Sequence, residues 1–156
     1  MSDSSTEPGL ALDEQLCFAL YSASRAITAR YRPLLDEMGL TYPQYLVMLA
    51  LWESGPATVG QLGKRLTLDS GTLSPLLKRL EASGLISRRR RVDDERSVEI
   101  VLTGDGHRLR ERATCLPAAI GVATGLDADG AARWVTALHD LTDAVRADLE
   151  RESNQV

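Results

Sequence analysis

The 156-residue sequence holds two cysteines, Cys17 and Cys115, four tyrosines, at 21, 31, 42 and 45, and an uninterrupted run of cations, Arg88, Arg89, Arg90 and Arg91. A thiolate can be oxidised, can ligate a metal or can attack an electrophile, and clustered guanidinium groups pair with phosphate. The two cysteines are far apart and form neither a CxxC pair nor a zinc spacing, so each is judged as a single thiol. A lone cysteine on a helix is ordinarily a small buried hydrophobe, and that is the plainest reading of both. Tyr21 follows Cys17 by one helical turn. The two histidines, His107 and His139, fall in different predicted helices without ligand partners. No Gly-rich phosphate loop, Ser-His-Asp set or pair of catalytic carboxylates is present, so the pattern implies no enzyme, no cofactor and no metal.

The stretch over residues 58–103 positions the cations. Thr58 and Gln61 form a capping box ahead of Leu62 and Leu66. Asp69 or Ser70 can cap a second helix with Leu73, Leu76, Leu77 and Leu80 on one face. Only Thr67 and Leu68 lie between, the compactness of a helix-turn-helix. Around Asp69 the second helix exposes Ser70, Thr72 and Ser74 near its N-terminus and Lys78 and Arg79 further on, which suits base edges and phosphates in a major groove. Gly84 ends this helix, residues 85–91 alternate, 92–95 turn and 96–102 return. The spacing predicts a two-stranded basic wing, with Arg88 and Arg90 as DNA contacts.

Charge is distributed accordingly. The chain is net −4, yet residues 43–103 carry nine Lys and Arg against seven Asp and Glu, leaving nine against fifteen elsewhere. The positive charge therefore gathers where a polyanion would bind. Length and a 44% apolar content allow one compact domain with a real core. No apolar run approaches the ~20 residues of a membrane span, and the acidic, polar N-terminus lacks the features of a secretory signal. A cytoplasmic protein without a membrane partner is expected.

Residues 1–9 read as a disordered tail. An apolar stripe of Leu12, Leu16, Leu20, Ala23 and Ile27 predicts a long amphipathic helix over 12–32, perturbed at Pro33. Thr41 and Gln44 form a second capping box before an apolar helix that runs to Trp52, in which Met48 and Trp52 are packing residues. After the wing, Thr103 can cap a helix kinked at Pro117, a Gly-rich break spans 121–130, and a last helix runs from about 131 to 151 with Trp134, Leu138, Leu141, Val145 and Leu149 on one stripe. The expected fold is mainly α with a small β-wing. Its parts are an N-terminal dimerisation helix and linker (10–42), a winged helix-turn-helix (43–103) and C-terminal dimerisation helices (104–156), the outer helices forming a bundle between two copies.

LDSGTLSPLLKRLEASGLISRRR followed by DDERSVEIVLT resembles the winged helix of the MarR family of bacterial transcriptional regulators. The resemblance extends over about residues 10–150. It implies a homodimer on a pseudo-palindromic duplex, with an Asp-x-Arg pair in the wing, here Asp94 and Arg96, that sends an arginine into the minor groove. A narrow minor groove does attract a guanidinium.

Within that family, LDEQLCFALYSASRAITARYRPLLDEMGLTYPQYL is similar to the N-terminal segment of organic hydroperoxide sensors of the OhrR type. The resemblance makes Cys17 the peroxide-reactive thiolate, hydrogen-bonded by Tyr31 and Tyr42 with Tyr21 nearby. Tyr31 stands fourteen residues beyond Cys17, so on one helix they are about 21 Å apart and can meet only across two subunits. Cys115 resembles the resolving residue of two-cysteine forms, which closes an intersubunit disulfide. The implied activity is a repressor released on oxidation by organic hydroperoxide. A repressor gated by a noncovalent aromatic ligand and a thiol peroxidase are the alternatives; the wing argues against the second and Cys17 against the first.

Overall fold

The computed structural model describes residues 10–90 and 98–154. The predicted wing turn and the pair Asp94 and Arg96 lie outside the described residues. Two units divide the chain, Met1–Leu116 and Pro117–Val156.

In the first unit a single 3-10 turn, Leu12–Glu14, leads into α1, Leu16–Asp36. This helix continues through Pro33 for another turn instead of breaking there. α2 spans Tyr42–Ser54, and both halves of the Thr41/Gln44 capping box are made, at 3.4 Å and 2.8 Å. Its apolar circumference is explained by burial: Tyr45, Val47, Met48 and Leu51 are all enclosed. The short strand β1, Ala57–Thr58, precedes α3, Val59–Leu66, which Thr58 and Gln61 cap in the same reciprocal manner. α4 follows over Ser70–Ala82, β2 over Ile86–Arg90, β3 over Val98–Leu102 and α5 over Gly104–Ala113.

The sheet has three strands in the order β1-β3-β2, all antiparallel, where the sequence predicts two. The added pairs are Ala57 with Ile100 and Thr58 with Glu99. A two-residue strand has too few side chains to show alternation, which is why pattern alone misses it. β1 ties the start of the helix-turn-helix to the wing.

Leu62, Leu73, Leu77, Leu80, Ile86 and Ile100 are buried together with α2 and Leu109, so both helices of the turn and the sheet share one core. At Gly106 a Cβ would collide with the Leu85 carbonyl oxygen. The absence of a side chain there lets α5 seat against the strand, and the Gly106 carbonyl accepts a hydrogen bond from Trp52 Nε1 at 2.9 Å. Trp52 is thus a packing residue with its one polar atom satisfied.

α6, Leu116–Thr124, places Pro117 in its first turn, where a missing N–H costs nothing, so Pro117 starts a helix and does not kink one. α7 covers Ala128–Ser153, capped by Asp127, whose side chain accepts from Gly130 N at 2.7 Å. Only residues 125–127 separate the two helices, a shorter break than the glycine content of 121–130 suggests; Gly125, at φ 65°, is the glycine the turn requires. Along α7 Trp134, Leu138, Val145 and Leu149 are exposed. No helix among the described residues is long and apolar enough to cross a membrane.

Candidate nucleic-acid interface and thiol site

Leu73, Leu77 and Leu80 anchor the inner face of α4 in the core, and this fixes what its outer face presents. Ser70, Thr72, Ser74, Lys78 and Arg79 are all exposed. The turn between α3 and α4 is closed by the Leu68 N–H donating to the Gly63 carbonyl at 2.9 Å. Thr67 in that turn adopts a left-handed conformation, φ 56° and ψ 43°, which is uncommon for a β-branched residue. Asp69 is the N-cap: its carboxylate accepts from the Thr72 N–H at 2.8 Å and from the Thr72 hydroxyl at 3.0 Å. These hydrogen bonds, the backbone one first, hold the Asp69 carboxyl below its ordinary range.

The wing arginines have distinct surroundings. Arg88 reaches back from β2 to Glu81 on α4, Nε to Oε2 at 3.3 Å. Arg89 pairs across the sheet with Glu99 at 3.4 Å. Arg90, opposite Val98, has no ion pair among the described residues and is exposed. Sequence reasoning missed Glu81, because a partner across the turn at Gly84 has no spacing signature.

Cys17 is exposed in the first turn of α1, whose N-terminus has no side-chain cap and no acidic residue in that turn. The positive end of the helix dipole lies beside the thiol, and Asp13 and Glu14 stand in the turn just before it. One turn on, the Arg25 guanidinium lies over the Tyr21 ring at 5.5 Å. Towards the other end of α1, Tyr31 packs on Tyr42, ring centroids 4.9 Å apart, and on Tyr45 at 5.7 Å. Tyr45 joins the cluster because it follows Tyr42 by three positions on α2, a signal present in the sequence. Burial raises the phenol pKa of both Tyr31 and Tyr42, and pushes Tyr45 up to about 12, with Tyr31, Tyr42 and Cys115 adding to the effect. All three remain protonated, and so able to donate, at neutral pH. Cys115 is exposed in the break between α5 and α6, its thiol donating to the Arg112 carbonyl at 3.3 Å. The chain brings Tyr31 and Tyr42 together but leaves Cys17 fourteen residues away along the same helix, about 21 Å by helical rise. Among the described residues no cluster of His, Cys, Asp or Glu could hold a metal.

The MarR family model matches residues 40–98. The organic hydroperoxide resistance transcriptional regulator of Bacillus subtilis is 54% identical over 111 residues, covering 71% of this chain and 76% of that one. The chain belongs to the MarR family. A second relative, the HTH-type transcriptional regulator TtmR of Methylorubrum extorquens, is 47% identical over 94% of this chain and 75% of its own. Among solved MarR-type structures, reduced AbfR bound to DNA is 38% identical, with TM-score 0.70 over 86% of this chain and 94% of that one. A disulfide-formed AbfR structure is 37% identical, with TM-score 0.58 over 84% of this chain and 92% of that one. The MarR match spans α2, the helix-turn-helix and the described wing strands as far as Val98, while Cys17, Tyr21, Tyr31 and Cys115 lie outside it.

Proposed function

We propose that this MarR-family chain is a cytoplasmic, redox-sensing regulator, a repressor that leaves its operator when organic hydroperoxide oxidises Cys17. One observation carries the proposal: an exposed thiol stands at the uncapped start of α1, while the phenols able to serve it are paired in the same chain at the far end of that helix. Two copies related by a two-fold axis bring each Cys17 to Tyr31 and Tyr42 of its partner. The exposed apolar stripes, Leu12, Leu16 and Ile27 on the N-terminal side and Trp134, Leu138, Val145 and Leu149 on α7, are surfaces such a partner would cover. The name of the Bacillus subtilis relative and the reduced, DNA-bound and disulfide-formed structures of AbfR support the same reading.

The duplex is read from both half-sites of a pseudo-palindrome, by Asp69, Ser70, Thr72 and Ser74 at the base edges and by Lys78, Arg79, Arg88 and Arg90 at phosphates, with Asp94 and Arg96 completing the wing. The chemistry is a two-electron oxidation. The Cys17 thiolate attacks the terminal peroxide oxygen, the O–O bond breaks, sulfenic acid forms and the alkoxide leaves as alcohol after taking a proton from solvent. Cys115 of the partner subunit then attacks that sulfur, forming a disulfide and releasing water. Bridging requires Cα atoms within about 7 Å, so the helices must rearrange.

The test is Cys17→Ser, which should bind operator DNA as the reduced wild type does and ignore hydroperoxide. Release of that variant from DNA by hydroperoxide, with Cys115 intact, would remove Cys17 from the mechanism. One observation favours a second reading, a noncovalent gate. A cavity of about 200 Å³ beside Tyr42, lined also by Thr28, Arg32, Leu35, Asp36 and Leu40, has room for a small aromatic ligand. Under that reading benzoate would release Cys17→Ser from DNA.

A further inference from the structure

We infer that Thr72 reads DNA as a hydrogen-bond acceptor, and so selects a base with an exocyclic amino group, adenine or cytosine, on the strand it faces. The inference rests on the proposal that α4 enters the major groove. Asp69 accepts from Thr72 twice, from the backbone N–H at 2.8 Å and from the hydroxyl at 3.0 Å. An ionised carboxylate has no hydrogen to give, so the hydroxyl hydrogen in this contact belongs to Thr72 and points at Asp69. The lowered Asp69 pKa keeps that carboxylate ionised throughout the neutral range. With its hydrogen committed, Thr72 Oγ1 has only lone pairs left for the groove.

The sequence alone groups Thr72 with Ser70 and Ser74, hydroxyls that can donate or accept, and the cap leaves Thr72 only the accepting role. Ser70 and Ser74 are exposed and their hydroxyls take no part in this cap, so both can still donate or accept. In the major groove adenine N6 and cytosine N4 donate, whereas guanine O6 and thymine O4 accept. A keto base facing Thr72 would set acceptor against acceptor beside a negative carboxylate. An amino base would meet two acceptors, Thr72 Oγ1 and the Asp69 carboxylate.

The experiment is selection from a duplex library randomised across the half-sites, using reduced wild type, Thr72→Val and Asp69→Asn. Valine keeps the shape and removes the oxygen, and asparagine keeps a capping oxygen while freeing the Thr72 hydroxyl to donate. Wild type should favour adenine or cytosine at one position of each half-site by roughly fivefold, the worth of one hydrogen bond. Thr72→Val should flatten that position, and Asp69→Asn should open it to guanine or thymine. The Asp69 cap persists in Thr72→Val, so its result stands even if Asp69→Asn melts early. Guanine or thymine at the position that Thr72→Val alters, or no position altered, would overturn the inference and leave DNA reading by α4 intact. Failure of the wild type to enrich any sequence would instead remove the reading-head assignment, and the inference with it.

Discussion

At the scale of single residues, the tyrosine cluster links burial to chemistry. Tyr45, buried, and Tyr31 and Tyr42, half-buried, have phenol pKa values raised above 10 in the folded chain and so bind their protons more tightly there than when unfolded. Stability from this source is therefore fully present below pH 10 and is lost as pH rises from 10 towards about 12. Chemical denaturation followed against pH should show a constant midpoint through neutrality and a fall above 10, a fall that Tyr45→Phe reduces. A midpoint falling equally steeply in that variant would mean that Tyr45 titrates as it does in water. The resemblance to known sensors singles out Cys17, Tyr31 and Tyr42, and the fold brings Tyr31 against Tyr42. Glu81 was not, because an ion pair across a turn follows from backbone geometry and not from spacing.

Elements explain how the reading surface is held. Caps declare themselves in sequence because a cap is local: Thr41, Thr58, Asp69 and Thr103 all accept the hydrogen bonds their positions predict. Strand β1 and the continuation of α1 through Pro33 were hidden, since each depends on tertiary neighbours. Leu77 is fully buried beneath α4, and Leu77→Ala should cost about 2–5 kcal/mol in denaturant unfolding. Within the wing, Arg88 is engaged with Glu81 whereas Arg90 has no ion pair among the described residues, so their substitutions should separate. Arg90→Ala should weaken DNA binding and lower the slope of log affinity against log salt by about one. Arg88→Ala should change that slope less, because Arg88 shares its guanidinium between phosphate and Glu81. Equal slope changes would mean that the Glu81 pairing takes nothing from the phosphate contact.

At the scale of the whole molecule, the proposed thiol site needs two copies of the chain. Exposed Leu138 and Val145 on α7 would each contribute to a two-fold interface twice. Burying one such side chain stabilises by about 1.5–3 kcal/mol, so Leu138→Glu with Val145→Glu should shift a dimer to monomer in sedimentation experiments. An unchanged sedimentation coefficient would place the interface elsewhere. The proposed dimer leaves a trace in the sequence only as apolar stripes, whose large side chains are mostly exposed among the described residues. In the oxidised protein, treatment with stoichiometric organic hydroperoxide should give a covalent dimer on a non-reducing gel, absent in Cys17→Ser and Cys115→Ser and reversed by dithiothreitol. A monomer band from fully oxidised protein would leave Cys115 a bystander and Cys17 a solitary sensor thiol. The central claim, that oxidation of one thiol controls DNA binding, is tested most directly by titrating labelled operator duplex with wild-type protein before hydroperoxide, after it, and after re-reduction. Tight binding, release and recovery are expected in that order. Binding that is equally tight in all three states would contradict that claim.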